Sequence, residues 1–190
     1  MTSHPDTLAE YRYRTSTNRL GLWLFLLSDS FLFGGLLVSR FYLWGNTRPE
    51  LNQYLGFTVT AILLVSSFFM NRAEISMQFG DLKRFQRSIL TTIGLGIIFL
   101  VGVLGVEWRI SPNSPSDNVY GAVFYMMTAM HALHVLSGVI FLTIVWNKGR
   151  KGYYSPERHW AVEAAAVYWH FVDVVWIFFY PALYLIGKIV

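Results

Sequence analysis

The sequence predicts an all-α polytopic membrane protein with five transmembrane helices, its N-terminus inside and its C-terminus outside. Three observations lead there. The chain of 190 residues is 54% hydrophobic and only 14% charged, whereas soluble domains carry about 25% charged residues. Five stretches reach the roughly 20 apolar residues that a crossing helix needs. The Lys and Arg residues gather in alternate connections, as cytoplasmic loops require.

In chain order, residues 1–19 are polar, with Arg12, Arg14 and Arg19 and no apolar core. They read as a cytoplasmic N-terminal tail and not as a cleaved signal peptide. Residues 20–190 read as one five-helix membrane domain, because nearly every residue falls in a span or a short connection. The spans are roughly Leu20–Trp44, Leu51–Met70, Ser88–Val106, Val119–Asn147 and Val162–Gly187. Turn formers or charges mark the joints at Gly45–Pro49, Gly80–Arg84, Ser111–Pro115 and Lys148–Gly152. Pro181 predicts a local kink in the last turns of the final helix, since it leaves a carbonyl one turn back without a donor. Gly94, Gly96, Gly102 and Gly105 make the third span a candidate for close helix contact, without saying against what.

Orientation follows from counting. With the N-terminus inside, Arg12, Arg14, Arg19, Arg72, Lys83, Arg84, Arg87, Lys148, Arg150, Lys151 and Arg158 are inside, and Arg40, Arg48, Arg109 and Lys188 outside. Trp44 and Trp108 then fall at the outer interface, Trp146 and Trp160 at the inner one, as aromatic-belt residues do. The net charge of +4 is a property of these short loops and is no sign of a nucleic-acid partner. Zero cysteines exclude disulfides, thiolate metal sites, iron–sulfur clusters and covalently attached haem.

Against this apolar background Asp29, His131, His134, His170 and Asp173 stand well inside the bilayer. Ionisable groups there normally face protein or a partner. His131 and His134 are three apart, as are His170 and Asp173, so each pair projects from one helix face. Three readings compete. A metal or haem site is disfavoured, because one face cannot supply both axial ligands and His4 and His159 lie outside the membrane. A proton relay through Asp29 is chemically open, and Arg19 and Arg40 are each ten or eleven residues away from it. The plainest reading is interhelical hydrogen bonding that fixes packing, worth about 0.6–2 kcal/mol per contact. Glu74 and Glu107 read as interfacial charges at helix ends. Glu163 starts the last helix, where a carboxylate complements the dipole; with Arg158 and His159 it is a candidate helix-end or lipid contact.

The stretch Glu163-Ala164-Ala165-Ala166-Val167-Tyr168-Trp169-His170-Phe171-Val172-Asp173-Val174-Val175-Trp176 resembles the final-helix signature of subunit III of the haem–copper respiratory oxidases, with Val167 where Trp is common. Tyr120 to Gly138, with His131-Ala132-Leu133-His134 inside it, is similar to the preceding helix of that family. Leu20 to Gly35 resembles its carboxylate-bearing helix. The likeness covers about Leu20 to Gly187. It is weak in the second and third spans, where Glu107-Trp108 remains but a familiar glutamine is missing.

The resemblance implies the five-helix short form of a non-catalytic subunit of cytochrome c oxidase, in an aerobic electron-transport complex that reduces oxygen and translocates protons. It implies no haem or copper in this chain; both would lie in partner subunits. Subunit I would be the main contact, subunit II a member of the same complex, and a respiratory supercomplex an extended setting. It further implies phospholipids in a cleft, Asp29 as an intramembrane acid supporting proton uptake, and a multi-pass place in a bacterial inner membrane. Asp29 stands where cytochrome c oxidases usually have Glu, a trait shared with quinol oxidases, which remain the alternative. A free-standing transporter using the polar layer as its path is the reading from another class.

The charge count yields a direct test. Accessibility tags at the N-terminus and in the 111–116 loop are expected to report opposite sides of the membrane; both on one side would defeat the five-span reading.

Overall fold

The computed structural model describes residues 7–111, 114–116 and 118–189; His4, two residues of the predicted 111–115 joint, and the ends of the chain lie outside the described residues. Five helices are long and apolar enough to cross a membrane. They are α1 (Leu8–Trp44), α2 (Gln53–Gln78), α3 (Leu82–Ile110), α4 (Val119–Arg150) and α5 (Trp160–Tyr180). Four of them start on a side-chain cap. Thr7, Asn52, Asp81 and Asn118 each accept the N–H three residues ahead, satisfying one of the free donors of a first turn.

The helices outrun their predicted ends. α1 has 37 residues, about 55 Å at 1.5 Å each, against a hydrocarbon core of about 30 Å. The polar residues 8–19 therefore continue the first helix outward from the span. α3 changes winding near its end, with a π-helical stretch over Val101–Glu107. At Pro181 the helix widens instead of breaking: Pro181–Leu185 winds as a π-helix, and the Ile186 N–H donates to Pro181 O at 2.9 Å.

α2 to α5 pack around one side chain. Trp169 of α5 is 1% exposed and fits two notches. A Cβ on Gly96 of α3 would lie 2.6 Å from its ring, and one on Gly138 of α4 would lie 2.9 Å away. Its indole N–H donates to Ser66 Oγ of α2 at 3.0 Å. One turn pair further along, the indole N–H of Trp176 reaches Thr60 Oγ1 of α2 at 2.9 Å. Of the third-span glycines, Gly96 meets Trp169 and Gly102 meets Val59 of α2, while Gly94 and Gly105 have room for a Cβ.

α1 lies at the edge of this bundle and runs parallel to α5, its start beside Glu163 and its end beside Ala182. Much of its surface is exposed, including Trp23, Phe25, Phe31, Val38 and Tyr42. After α1 a two-residue strand, β1 (Thr47–Arg48), pairs in parallel with β2 (Lys188–Ile189). Gly187 makes that contact possible: its φ is +116°, and a Cβ there would sit 2.9 Å from the Thr47 backbone.

One expectation fails at this end: Trp44, read as an aromatic-belt residue, packs inside. Arg40, counted with the outer charges, is no free interfacial charge. Arg40 is instead wholly buried and Trp44 is 3% exposed. The Arg40 guanidinium donates from Nε to Ala182 O at 2.6 Å, from Nη1 to Gly45 O at 3.1 Å, and from Nη2 to Ile186 O. It lies 4.9 Å from the centre of the Trp44 ring. The physical reason is that two parallel helices end together here, and their terminal carbonyls carry partial negative charge with no amide partner. Five fixed donors suit such a cluster without any carboxylate.

Replacing Arg40 by Met should strand those carbonyls and cost about 3 kcal/mol. For a chain this size that lowers the thermal midpoint by roughly 6–12 °C, measured as retention of the subunit in the heated, detergent-extracted complex. The exposed Arg109→Gln serves as the neutral control.

Candidate functional site: a polar layer inside the membrane

Asp29 finds its partner across a helix interface. His134 of α4 places Nε2 3.4 Å from Asp29 Oδ2, with the side chains 16% and 14% exposed. The other ring nitrogen, Nδ1, is 2.8 Å from Met130 O. A carbonyl only accepts, so Nδ1 carries a hydrogen, and Nε2 is the atom that faces the carboxylate. Asp29 Oδ2 is buried and makes no hydrogen bond among the described residues, so the two groups meet as a close polar contact. Phe33 closes one side of the imidazole edge-on at 4.7 Å. The Tyr168 hydroxyl of α5, 2.6 Å from Ser137 Oγ, also reaches His134 O at 3.3 Å.

The expected pairing of His131 with His134 is not what the fold uses. Residues three apart differ by about 60° around a helix, enough to meet different neighbours. His131 is fully buried and turns to α5, donating from Nε2 to Val172 O at 3.0 Å, with the Trp176 ring 4.7 Å away. It is a packing residue. His170 and Asp173, by contrast, turn to the same residue of α2: His170 Nδ1 lies 2.7 Å from Ser67 Oγ, and Asp173, 3% exposed, faces Ser67 as well.

Towards the N-terminal ends of α1 and α5 a second histidine–carboxylate pair repeats the first. His159 Nδ1 is 3.2 Å from Ser155 O, and Nε2 is 3.3 Å from Glu163 Oε1. Arg19 of α1 takes the other oxygen at 2.7 Å, and Glu74 of α2 lies within electrostatic reach of both. Arg158 lies over the Tyr11 ring at 5.7 Å, and the Tyr11 hydroxyl accepts the Trp160 N–H at 3.0 Å. The predicted trio Arg158, His159 and Glu163 is therefore a helix-end cluster that ties the start of α1 to the start of α5.

Between the two pairs, α1 and α5 border an open groove of about 430 Å³, lined by Trp23, Leu26, Leu27, Val167, His170 and Phe171 among others. Its walls are almost entirely apolar, apart from Ser30 and His170. At the far end of the bundle Glu107, expected as an interfacial charge, is 2% exposed. The Tyr184 hydroxyl donates to its Oε1, because the widened turn after Pro181 brings Tyr184 against α3. Sequence reading missed Arg40, Ser67, Tyr168 and the depth of Glu107. Only for Tyr168, inside the final-helix motif, did a signal exist. Among the described residues no group of three or more His, Asp or Glu gathers as a metal site would.

The family described as cytochrome c oxidase subunit III matches residues 12–188. Cytochrome c oxidase subunit 3 of Thermostichus vulcanus is 33% identical over 176 residues, 89% of this chain and 87% of that protein. The subunit 3 of Halichoerus grypus is 34% identical over 183 residues, covering 90% of this chain and 70% of its own length. That of Synechocystis sp. is 35% identical over 174 residues, covering 87% and 74%.

The contact between Asp29 and His134 has an infrared signature. His134→Gln is expected to shift the carboxyl band that Asp29→Asn removes, and to leave the Asp173 band in place. An unmoved Asp29 band would show that the two groups do not interact.

Proposed function

Because the chain belongs to the cytochrome c oxidase subunit III family, a membrane component of an oxidoreductase complex, we propose that it supports the catalytic subunits without performing redox chemistry itself. Its place in that reading is beside subunit I, with subunit II in the same complex and haem and copper held by those partners. The N-terminus and residues 1–19 lie on the cytoplasmic side of a bacterial inner membrane, and residues 20–190 form the membrane domain. The groove between α1 and α5 takes the acyl chains of phospholipids, since it is open and its walls are apolar.

The observation that carries the proton-uptake part of the proposal is the Asp29–His134 pair, an acid facing an imidazole within the span. The second pair, Glu163–His159, stands at the membrane surface, at the other end of the groove. Together they form a surface group that captures protons and an inner group that buffers them close to subunit I. Such a pair assists delivery and is no obligatory relay: the apolar groove walls between the two offer no continuous hydrogen-bonded path. Relatives named as cytochrome c oxidase subunits favour cytochrome c over quinol as the donor to the complex.

Asp29→Asn keeps the shape and a hydrogen-bonding group while removing titration. The variant complex is expected to assemble, to keep most of its oxygen reduction, and to lose carbodiimide labelling at α1. Abolished turnover in a fully assembled complex would replace the supporting role with an essential relay.

A further inference from the structure

The connection between α2 and α3 carries a hollow of about 510 Å³ that the polar layer does not use. Arg72 of α2 and Lys83, Arg84 and Arg87 of α3 line it, with Asp81 as the single acid. Asp81 is engaged: its Oδ1 caps α3 at the Arg84 N–H, and its Oδ2 is 3.5 Å from Arg84 Nε. No described carboxylate pairs with Arg72, Lys83 or Arg87. Four cations against one acid leave the hollow with a charge of about +3 at neutral pH.

Charges that serve topology alone need only be on the correct side of the membrane. These converge from two helices on one concavity, and its inner wall changes character. One turn deeper than Arg72 is Phe69, and one turn deeper than Arg87 is Thr91, whose hydroxyl is already donated to Arg87 O at 2.9 Å. Beyond them the same stripes are apolar and exposed, with Val65 48% and Ile98 52% exposed. The surface is thus cationic at the membrane boundary and hydrocarbon-like below it. At the start of α1 the arrangement differs, since Arg19 is committed to Glu163.

We propose that this hollow holds the phosphate head of an anionic phospholipid, whose acyl chains lie down the α2–α3 stripe. Arg72, Lys83 and Arg87 neutralise the phosphate diester, and Phe69 and Thr91 border the glycerol region. A free phosphate would use the same cations but gain nothing from the stripe below. The site is separate from the groove between α1 and α5, and it depends only on the membrane reading of the chain.

The test uses the intact oxidase complex, extracted and re-embedded in phosphatidylcholine bilayers containing a minor fraction of phosphatidylglycerol, with retained lipids counted by native mass spectrometry. The wild-type complex should retain phosphatidylglycerol that the triple variant R72Q/K83Q/R87Q retains at least tenfold less, with phosphatidylcholine unchanged. Thr91→Trp fills the hollow and keeps every cation; it should lose the same lipid, and it decides the matter if the triple variant fails to assemble. Excess inorganic phosphate should leave the lipid bound. Equal phosphatidylglycerol retention by wild type and Thr91→Trp, or displacement by inorganic phosphate, would overturn the proposal. So would loss of a neighbouring subunit from an otherwise folded triple variant, which would assign these cations to a protein contact.

Discussion

Trp169 sets the spacing of four helices at once. Lipid provides no hydrophobic drive between spans, so close contact must come from shape and from hydrogen bonds made away from water. Both act on this one side chain: its ring needs the missing Cβ atoms of Gly96 and Gly138, and its N–H needs Ser66. The placement of the functional groups follows. With α5 held at this depth, His170 reaches Ser67, Tyr168 reaches His134 O, and the Val172 carbonyl reaches His131.

α1 is held differently. It has few buried large side chains and is fixed by polar contacts at three heights: Arg19 with Glu163, Asp29 with His134, and Arg40 with the carbonyls that end α5. These three work in different surroundings. The Arg19 pair is partly wet and so weak. Asp29 faces protein and meets the His134 imidazole, which is what makes an acid tolerable at that depth. Arg40 is fully buried and balanced by dipoles alone, the most demanding arrangement of the three.

The five spans and the polar residues within them were legible because both depend on composition along one strand of chain. Apolar length gives the spans, and a lone acid among leucines announces itself. Partnership between helices was not legible. The i, i+3 spacing grouped His131 with His134 and His170 with Asp173; the second pair does share Ser67 of α2, but about 60° of rotation sent His131 and His134 to different helices. Arg40 looked like a loop charge because the sequence does not show where the carbonyls of another helix end. Glu107 looked interfacial because only the widened turn after Pro181 brings Tyr184 to it. The motif likeness supplied the family, which periodicity alone could not.

The anchoring of α1 bears on the order of events during synthesis. Its two end anchors are Glu163 and the carbonyls of Ala182 and Ile186, all of them at the two ends of α5, which is made after α1 to α4. α1 therefore leaves the ribosome well before it can be seated. Until α5 is inserted, Arg40 has only the carbonyls that close its own helix, and the exposed flank of α1 is open to lipid or to an assembly factor. Insertion of α5 and locking of α1 become a single step, so a truncated product lacking α5 would display a loose α1 as a mark of its immaturity.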